Sequence, residues 1–146
     1  MPRTSTVRST IDLHLVVPGG PPLPVPAELT YEASDPWAVR VAFHTGEVTG
    51  ADGEGEGVIE WLFSRQLVAD GLKAPAGEGD VRIWPSTSQG DAVVELSMVS
   101  PSGSALFEVD RDALVAFLRH TCLVVPPGSE LDGVDLDAEL ALLLAT

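Results

Sequence analysis

Apolar and polar residues alternate at the start of the chain. Val7, Ile11, Leu13, Leu15 and Val17 fall on one parity, and Arg8, Thr10, Asp12 and His14 on the other. A period of two sends successive side chains to opposite faces, so residues 7 to 17 predict a half-buried strand. Pro18-Gly-Gly-Pro-Pro22 breaks it. Val25, Ala27, Leu29 and Tyr31 alternate again, after Pro24 and Pro26. Prolines lack a ladder donor, which predicts that this second strand begins at an edge or bulge. Asp35-Pro36 forms a turn, and Val39, Val41 and Phe43 mark a third strand.

Val58 to Phe63 is apolar on both parities, a pattern that predicts a fourth strand buried on both faces. Ser64 can cap a helix through its hydroxyl. That helix would carry Phe63, Leu67, Val68 and Leu72 on one side and stop near Gly71 and Pro75. Val81, Ile83 and Pro85 mark a fifth strand, Val93 to Val99 a sixth and Ala105 to Val109 a seventh. Gln89-Gly90-Asp91 and Ser100-Pro-Ser-Gly103 supply the turns. Asp110 caps a helix with Leu114, Phe117, Leu118, Thr121 and Cys122 on one face, ended by Val125-Pro-Pro-Gly128. A last helix is expected from Asp135 to Leu144, with Leu136, Leu140, Leu143 and Leu144 on its apolar face. Asp135, Asp137 and Glu139 lie in its first turns, where the helix dipole favours acids. The order β-β-β-β-α-β-β-β-α-α, joined mostly by hairpins, predicts an α+β fold of antiparallel sheet, about seven strands and two or three helices.

At 146 residues, 45% of them apolar, residues 1–146 read as a single domain with a real core. Residues 50–57, Gly-Ala-Asp-Gly-Glu-Gly-Glu-Gly, offer little to bury and predict a flexible acidic hairpin loop. The net charge of −14 comes from 22 acids against 8 bases. Those bases are scattered, which disfavours nucleic acid and acidic membranes as partners. Cys122 is alone, so no intrachain disulfide can form. The first residues lack a signal-peptide core, and no apolar run is long enough to span a bilayer. A cytoplasmic location is expected.

The candidate chemistry is thin. His14, His44 and His120 have no partner at metal-ligand spacing. Cys122 falls on an apolar helix face, where a free cysteine usually packs as a small hydrophobe. The glycines of Gly53-Glu-Gly-Glu-Gly57 and Gly77-Glu-Gly79 are interleaved with carboxylates that repel phosphate. Acid clusters at 52–56 and 130–139 do not match a calcium loop. No catalytic residue, metal or cofactor is expected, and the chain reads as a non-enzyme. Of Trp37, Trp61 and Trp84, the last two fall within strands and suit core packing. Trp37 follows a turn and is the best candidate for exposure at an interface.

A set of short motifs runs through the chain in order. They are Pro24-x-Pro-Ala-x-Leu-x-Tyr31, Asp35-Pro36 with Ala38-Val39, Phe43-His-Thr-Gly46, and Trp61-x-Phe-x-Arg65 with Leu67 and Gly71. Gly77-x-Gly-Asp-Val-x-Ile-Trp-Pro85, Ser100-Pro-x-Gly103, Phe117-Leu118 and Val125-Pro-Pro-Gly-x-Glu130 complete it. This pattern, covering roughly residues 10 to 145, resembles the SsgA-like family of sporulating actinomycetes. The resemblance implies a Whirly-like fold, a homotrimer, and a role in sporulation-specific cell division at the septum. It further implies protein partners: other SsgA-like proteins and the tubulin-like division protein FtsZ. The 50–57 stretch looks longer and more acidic than is usual in that family.

The expected function is a non-catalytic regulator or scaffold of septum-site placement, working through protein–protein contacts. Trp37 and the helix residues Leu136, Leu140 and Leu143 are the candidate partner or oligomer contacts. The alternative is a Whirly-like single-strand nucleic-acid binder. That reading needs several of Arg3, Arg8, Arg40, Arg65, Arg82, Arg111 and Arg119 on one face with exposed aromatics.

Overall fold

The computed structural model describes residues 5–44, 58–77, 79–101 and 103–130. The acidic stretch at 50–57 and the helix expected at Asp135–Leu144 lie outside the described residues. Seven strands and two helices are present: β1 (Thr6–Leu15), β2 (Leu23–Glu32), β3 (Ala38–His44), β4 (Val58–Ser64), α1 (Arg65–Gly71), β5 (Val81–Ser88), β6 (Asp91–Ser100), β7 (Gly103–Asp110) and α2 (Arg111–Val124). The strands form one antiparallel sheet in the order β4-β3-β2-β1-β7-β6-β5.

Two meanders, β1–β4 and β5–β7, meet at a narrow seam. β1 and β7 share only the pairs His14↔Glu108 and Leu15↔Phe107, extended by a hydrogen bond from the Val16 N–H to the Leu106 carbonyl at 2.8 Å. The two halves share one core. Phe43 of β3 stacks on Phe107 of β7 with ring centroids 5.1 Å apart. The alternating positions supply that core: Ile11 and Leu13, Ala27, Leu29 and Tyr31, Val39 and Val41, Val94, Leu96 and Met98, and Val109. Leu114, Phe117 and Leu118 of α2 join the same cluster.

Both helices start where a side-chain oxygen satisfies an orphan N–H. The Ser64 hydroxyl accepts from the Leu67 N–H at 3.1 Å, and Asp110 accepts from the Ala113 N–H at 3.2 Å. Gly71 closes α1 against β5, for a Cβ there would overlap the Ile83 side chain. Gly77 follows with φ +101°, and its missing Cβ leaves room for the Val81 carbonyl. Ala76 and Ile83 then exchange two backbone hydrogen bonds, which cover part of the outer edge of β5.

Two local expectations are corrected. β4 is not buried on both faces: Phe63 is buried and Trp61 half-buried, but Val58, Ile59 and Leu62 are exposed. The reason is position, since β4 is the terminal strand of the sheet. The inward side of α1 is Arg65, Val68 and Gly71, with Leu67 and Leu72 only half-buried. β2 is interior over Ala27–Thr30, but its start runs past β3 and forms a local edge, as expected. Its prolines pair with β1, at Pro24↔His14 and Pro26↔Asp12, while β3 pairs only with Ala27–Thr30. Pro24 and Pro26 therefore sit past the β3 register, where a missing donor costs no ladder bond to β3. Pro85 lies in β5 at the opposite edge, as its lost N–H requires.

Candidate interaction surface

The chemistry of the molecule concentrates on Arg65, the first residue of α1. Its side chain is buried, and Nη1 donates to the Val125 carbonyl at 2.7 Å and the Thr121 carbonyl at 3.3 Å. Nη2 donates to Glu130 Oε2 at 2.9 Å. The guanidinium lies over the Tyr31 ring, 5.0 Å from its centroid. The Tyr31 hydroxyl in turn donates to the Pro36 carbonyl at 2.9 Å. One buried cation thus joins the β2–β3 turn, the start of α1, the end of α2 and the segment that follows it. Guanidinium suits this place because its planar fork reaches several acceptors at once.

Glu130 is held at both oxygens: Oε2 by Arg65 and Oε1 by the Gly128 N–H at 2.8 Å. Its carboxyl lies below the usual value of 4.5. Hydrogen bonding to its own backbone N–H is the largest cause, followed by the Arg65 guanidinium, with the Gly128 N–H adding less.

The exposed surface begins beside this hub, at Trp37 and the end of β4. The Arg65 N–H donates to the Trp37 carbonyl at 2.8 Å, which fixes the turn that carries the Trp37 side chain. That side chain is 54% exposed, and Ala38 beside it pairs with Ser64 at the end of β4. Along β4, Val58 and Ile59 are each 51% exposed and Leu62 is 61% exposed. Leu62 borders a shallow depression with Thr30, Glu32, Asp35, Ala38 and Arg40. Arg40 approaches Glu60 at 4.0 Å, and both side chains stay largely solvated, so this pair adds little stability. β4 contains neither proline nor lysine, the usual guards of a sheet edge. β5, at the other end of the sheet, has both Pro85 and the Ala76 cover.

Trp37 is exposed, as its place after a turn suggests. Leu136, Leu140 and Leu143 lie outside the described residues. Of the bases needed for a nucleic-acid face, Arg65 is buried in its hub and Arg40 faces Glu60. Cys122 is half-buried on α2, and His14 and His120 are exposed. Among the described residues no group of three or more His, Cys, Asp or Glu side chains converges. No described helix is long and apolar enough to cross a membrane. Sequence reasoning counted Arg65 among surface bases and missed the hub. The available signal was its place one residue after the Ser64 cap, on the face of α1 that turns inward.

These features define a small α+β domain built on one antiparallel sheet, with a buried ionic hub and exposed apolar residues at the β4 edge. The sequence model of the family described as "Streptomyces sporulation and cell division protein, SsgA" matches residues 25–130. The chain belongs to this SsgA family. It is 49% identical to the sporulation-specific cell division protein SsgB of Frankia casuarinae, over 97% of this chain and 94% of that protein. It is 47% identical to SsgB of Streptomyces coelicolor, over 97% of each. A solved structure reported under "Mutations in SsgB correlate to longitudinal cell division during sporulation of Streptomyces coelicolor" superposes with a TM-score of 0.78 at 45% identity, covering 89% of this chain and 94% of that one. The SsgA-like sporulation-specific cell division protein of Thermobifida fusca superposes with a TM-score of 0.80 at 37% identity, over 97% of each chain.

Proposed function

We propose that this protein is a non-catalytic regulator of sporulation-specific cell division that helps to place septa by docking protein partners. The observation that carries the reading is the set of exposed apolar residues Trp37, Val58, Ile59 and Leu62 at the β4 end of the sheet. A terminal strand with exposed apolar side chains can take up an extended partner segment through backbone pairing and side-chain anchors. The Arg65 hub holds the Trp37 turn and the end of β4, so little ordering entropy opposes docking there. Family resemblance suggests FtsZ and other SsgA-like proteins as the partners, a homotrimer as the working form, and the cytoplasmic side of the septum as the place of action. The charge of −14 favours partner surfaces with exposed Lys and Arg, and acts mainly on association rate and choice.

The test is a binding titration of the purified protein against purified FtsZ and a purified SsgA-like relative, with light scattering on the protein alone. Saturable binding to either partner, lost on Leu62→Asp, is the expected result. Absence of binding to both at tens of micromolar would overturn the docking role, and a monomeric mass would overturn the trimer.

A further inference from the structure

The helices reverse the charge balance of the molecule. The whole chain has 22 acids against 8 bases. Yet α1, the Leu72-Lys73-Ala74 turn after it, and α2 carry Arg65, Lys73, Arg111 and Arg119 against only Asp70 and Asp112. Arg65 is engaged by Glu130, and Asp70 accepts from the Gln66 amide at 2.8 Å. Lys73 and Arg119 are exposed and Arg111 is half-buried. Among the described residues no carboxylate pairs with any of these three. An apolar groove lies among them, lined by Leu72, Val115, Leu118, Arg119, Cys122 and Leu123. Lys73 follows Leu72, and Arg111 stands one turn before Val115 on the same helix face. Leu123 is 80% exposed, more than any other large apolar residue described. None of the lining residues belongs to β4.

We infer that this groove docks an acidic amphipathic helix of a partner protein, as a second surface independent of the β4 edge. Shape argues for a helix. Val115, Leu118 and Cys122 follow the i, i+3, i+7 spacing along α2, and Leu72 borders them from the end of α1. A depression between one helix face and a neighbouring element takes the apolar ridge of a further helix. Val115 to Leu123 spans about 12 Å, room for two turns of a helix lying along α2. Charge argues for acids. A leucine stripe in the groove puts flanking glutamates beside Lys73, Arg111 and Arg119, which have no carboxylate partner of their own among the described residues. An anionic membrane would supply the same charge, but the large excess of acids on this chain opposes its approach to one. The β4 end has the opposite character. The depression beside Leu62 carries Glu32 and Asp35, and its Arg40 faces Glu60. The two surfaces thus favour partners of opposite charge, and one domain can hold both.

The test is an anisotropy titration of the full chain against a labelled synthetic helix of about four turns, with leucines at i, i+3, i+4 and i+7 and glutamates elsewhere. The control peptide has lysine in place of every glutamate. The glutamate peptide is expected to bind saturably, at least roughly tenfold tighter than the lysine peptide, and more weakly as salt rises. Arg119→Glu and Leu123→Asp should each weaken it at least roughly tenfold. Arg82→Glu on β5, the same change of charge outside the groove, should leave binding as in the parent. No saturable binding at hundreds of micromolar, equal binding of the two peptides, or equal losses with Arg119→Glu and Arg82→Glu would overturn the inference. Three further readouts assign the groove to a different occupant and overturn it as well. Leu123→Asp that lowers Tm by roughly 5 °C without peptide would mean that the chain itself covers the groove. Leu123→Asp that lowers the assembly mass in light scattering would make the groove a contact between copies. Sedimentation with phosphatidylserine vesicles, lost on Leu123→Asp, would make it a membrane contact.

Discussion

Arg65 and Glu130 meet at 2.9 Å, although 65 residues separate them in sequence. The pair links the helix that follows the edge strand to the segment that follows the last described helix. An exposed pair of this kind would contribute little, but the Arg65 side chain is only 7% exposed and also satisfies two carbonyl oxygens. Its role is to close the polar ends of three elements at one point.

Arg65→Ala is therefore expected to be among the most damaging single changes. It leaves the Thr121 and Val125 carbonyls short of a donor in a buried place and removes the cation over Tyr31. The expected loss is about 3 kcal/mol in urea unfolding. Arg65→Lys should recover part of it, because an ammonium keeps the charge without the planar fork. If Arg65→Lys matched the parent, the fork geometry would be irrelevant.

Glu130 makes the fold pH-sensitive in one direction. Its carboxyl is lowered in the folded protein, so the unfolded chain takes up the proton first as pH falls. The stability it contributes is complete above the ordinary value of 4.5, and it is lost as pH falls through the lowered folded value. Unfolding curves from pH 7 to pH 3 should show the parent more stable than Glu130→Gln at neutral pH. The gap should narrow below about 4.5. A gap of constant size across that range would mean that the carboxylate charge plays no part.

Gly71→Ala tests the seat of α1 on β5. Helix propensity alone favours alanine by about 1 kcal/mol. The added Cβ, however, would overlap the Ile83 side chain and lie 3.1 Å from its carbonyl oxygen. Overpacking of this kind costs about 1–3 kcal/mol, so the clash is expected to win and Tm to fall. A rise in Tm would show that β5 can shift to make room.

Much of this architecture was legible in the residues, for reasons that differ by element. The alternation through Ile11, Leu13, Ala27, Leu29, Val39 and Val41 reports directly which face is inward, because strand period and burial are both local properties. Ser64 and Asp110 announced the helix starts through chemistry complete within three residues. β4 misled because a run such as Val58-Ile-Glu-Trp-Leu-Phe63 reads alike in the middle of a sheet and at its end. Strand order is set by long-range pairing that composition does not encode. Arg65 misled for the same reason. Its acceptors at Thr121, Val125 and Glu130 lie 56 to 65 residues away, so the side chain looked like one more scattered surface base. Trp37 was readable because a turn after Asp35-Pro36 leaves few neighbours to cover a large ring.

The edge strip makes the most direct claim on function. Trp37→Ala removes an exposed ring but leaves the Trp37 carbonyl that accepts from Arg65, so the hub stays intact. Leu62→Asp places a charge on a side chain already 61% exposed. Neither change should move stability by more than about 0.5 kcal/mol, the usual range for surface positions. If the strip grips a protein partner, each should weaken binding to FtsZ or to an SsgA-like relative at least roughly tenfold, or about 1.4 kcal/mol, as anchors near the centre of an interface do. Arg82→Ala on β5, at the guarded end of the sheet, serves as the control and should bind like the parent. Equal losses at all three positions would point to a diffuse electrostatic or conformational effect. Unchanged binding with Trp37→Ala and Leu62→Asp would move the docking surface away from β4.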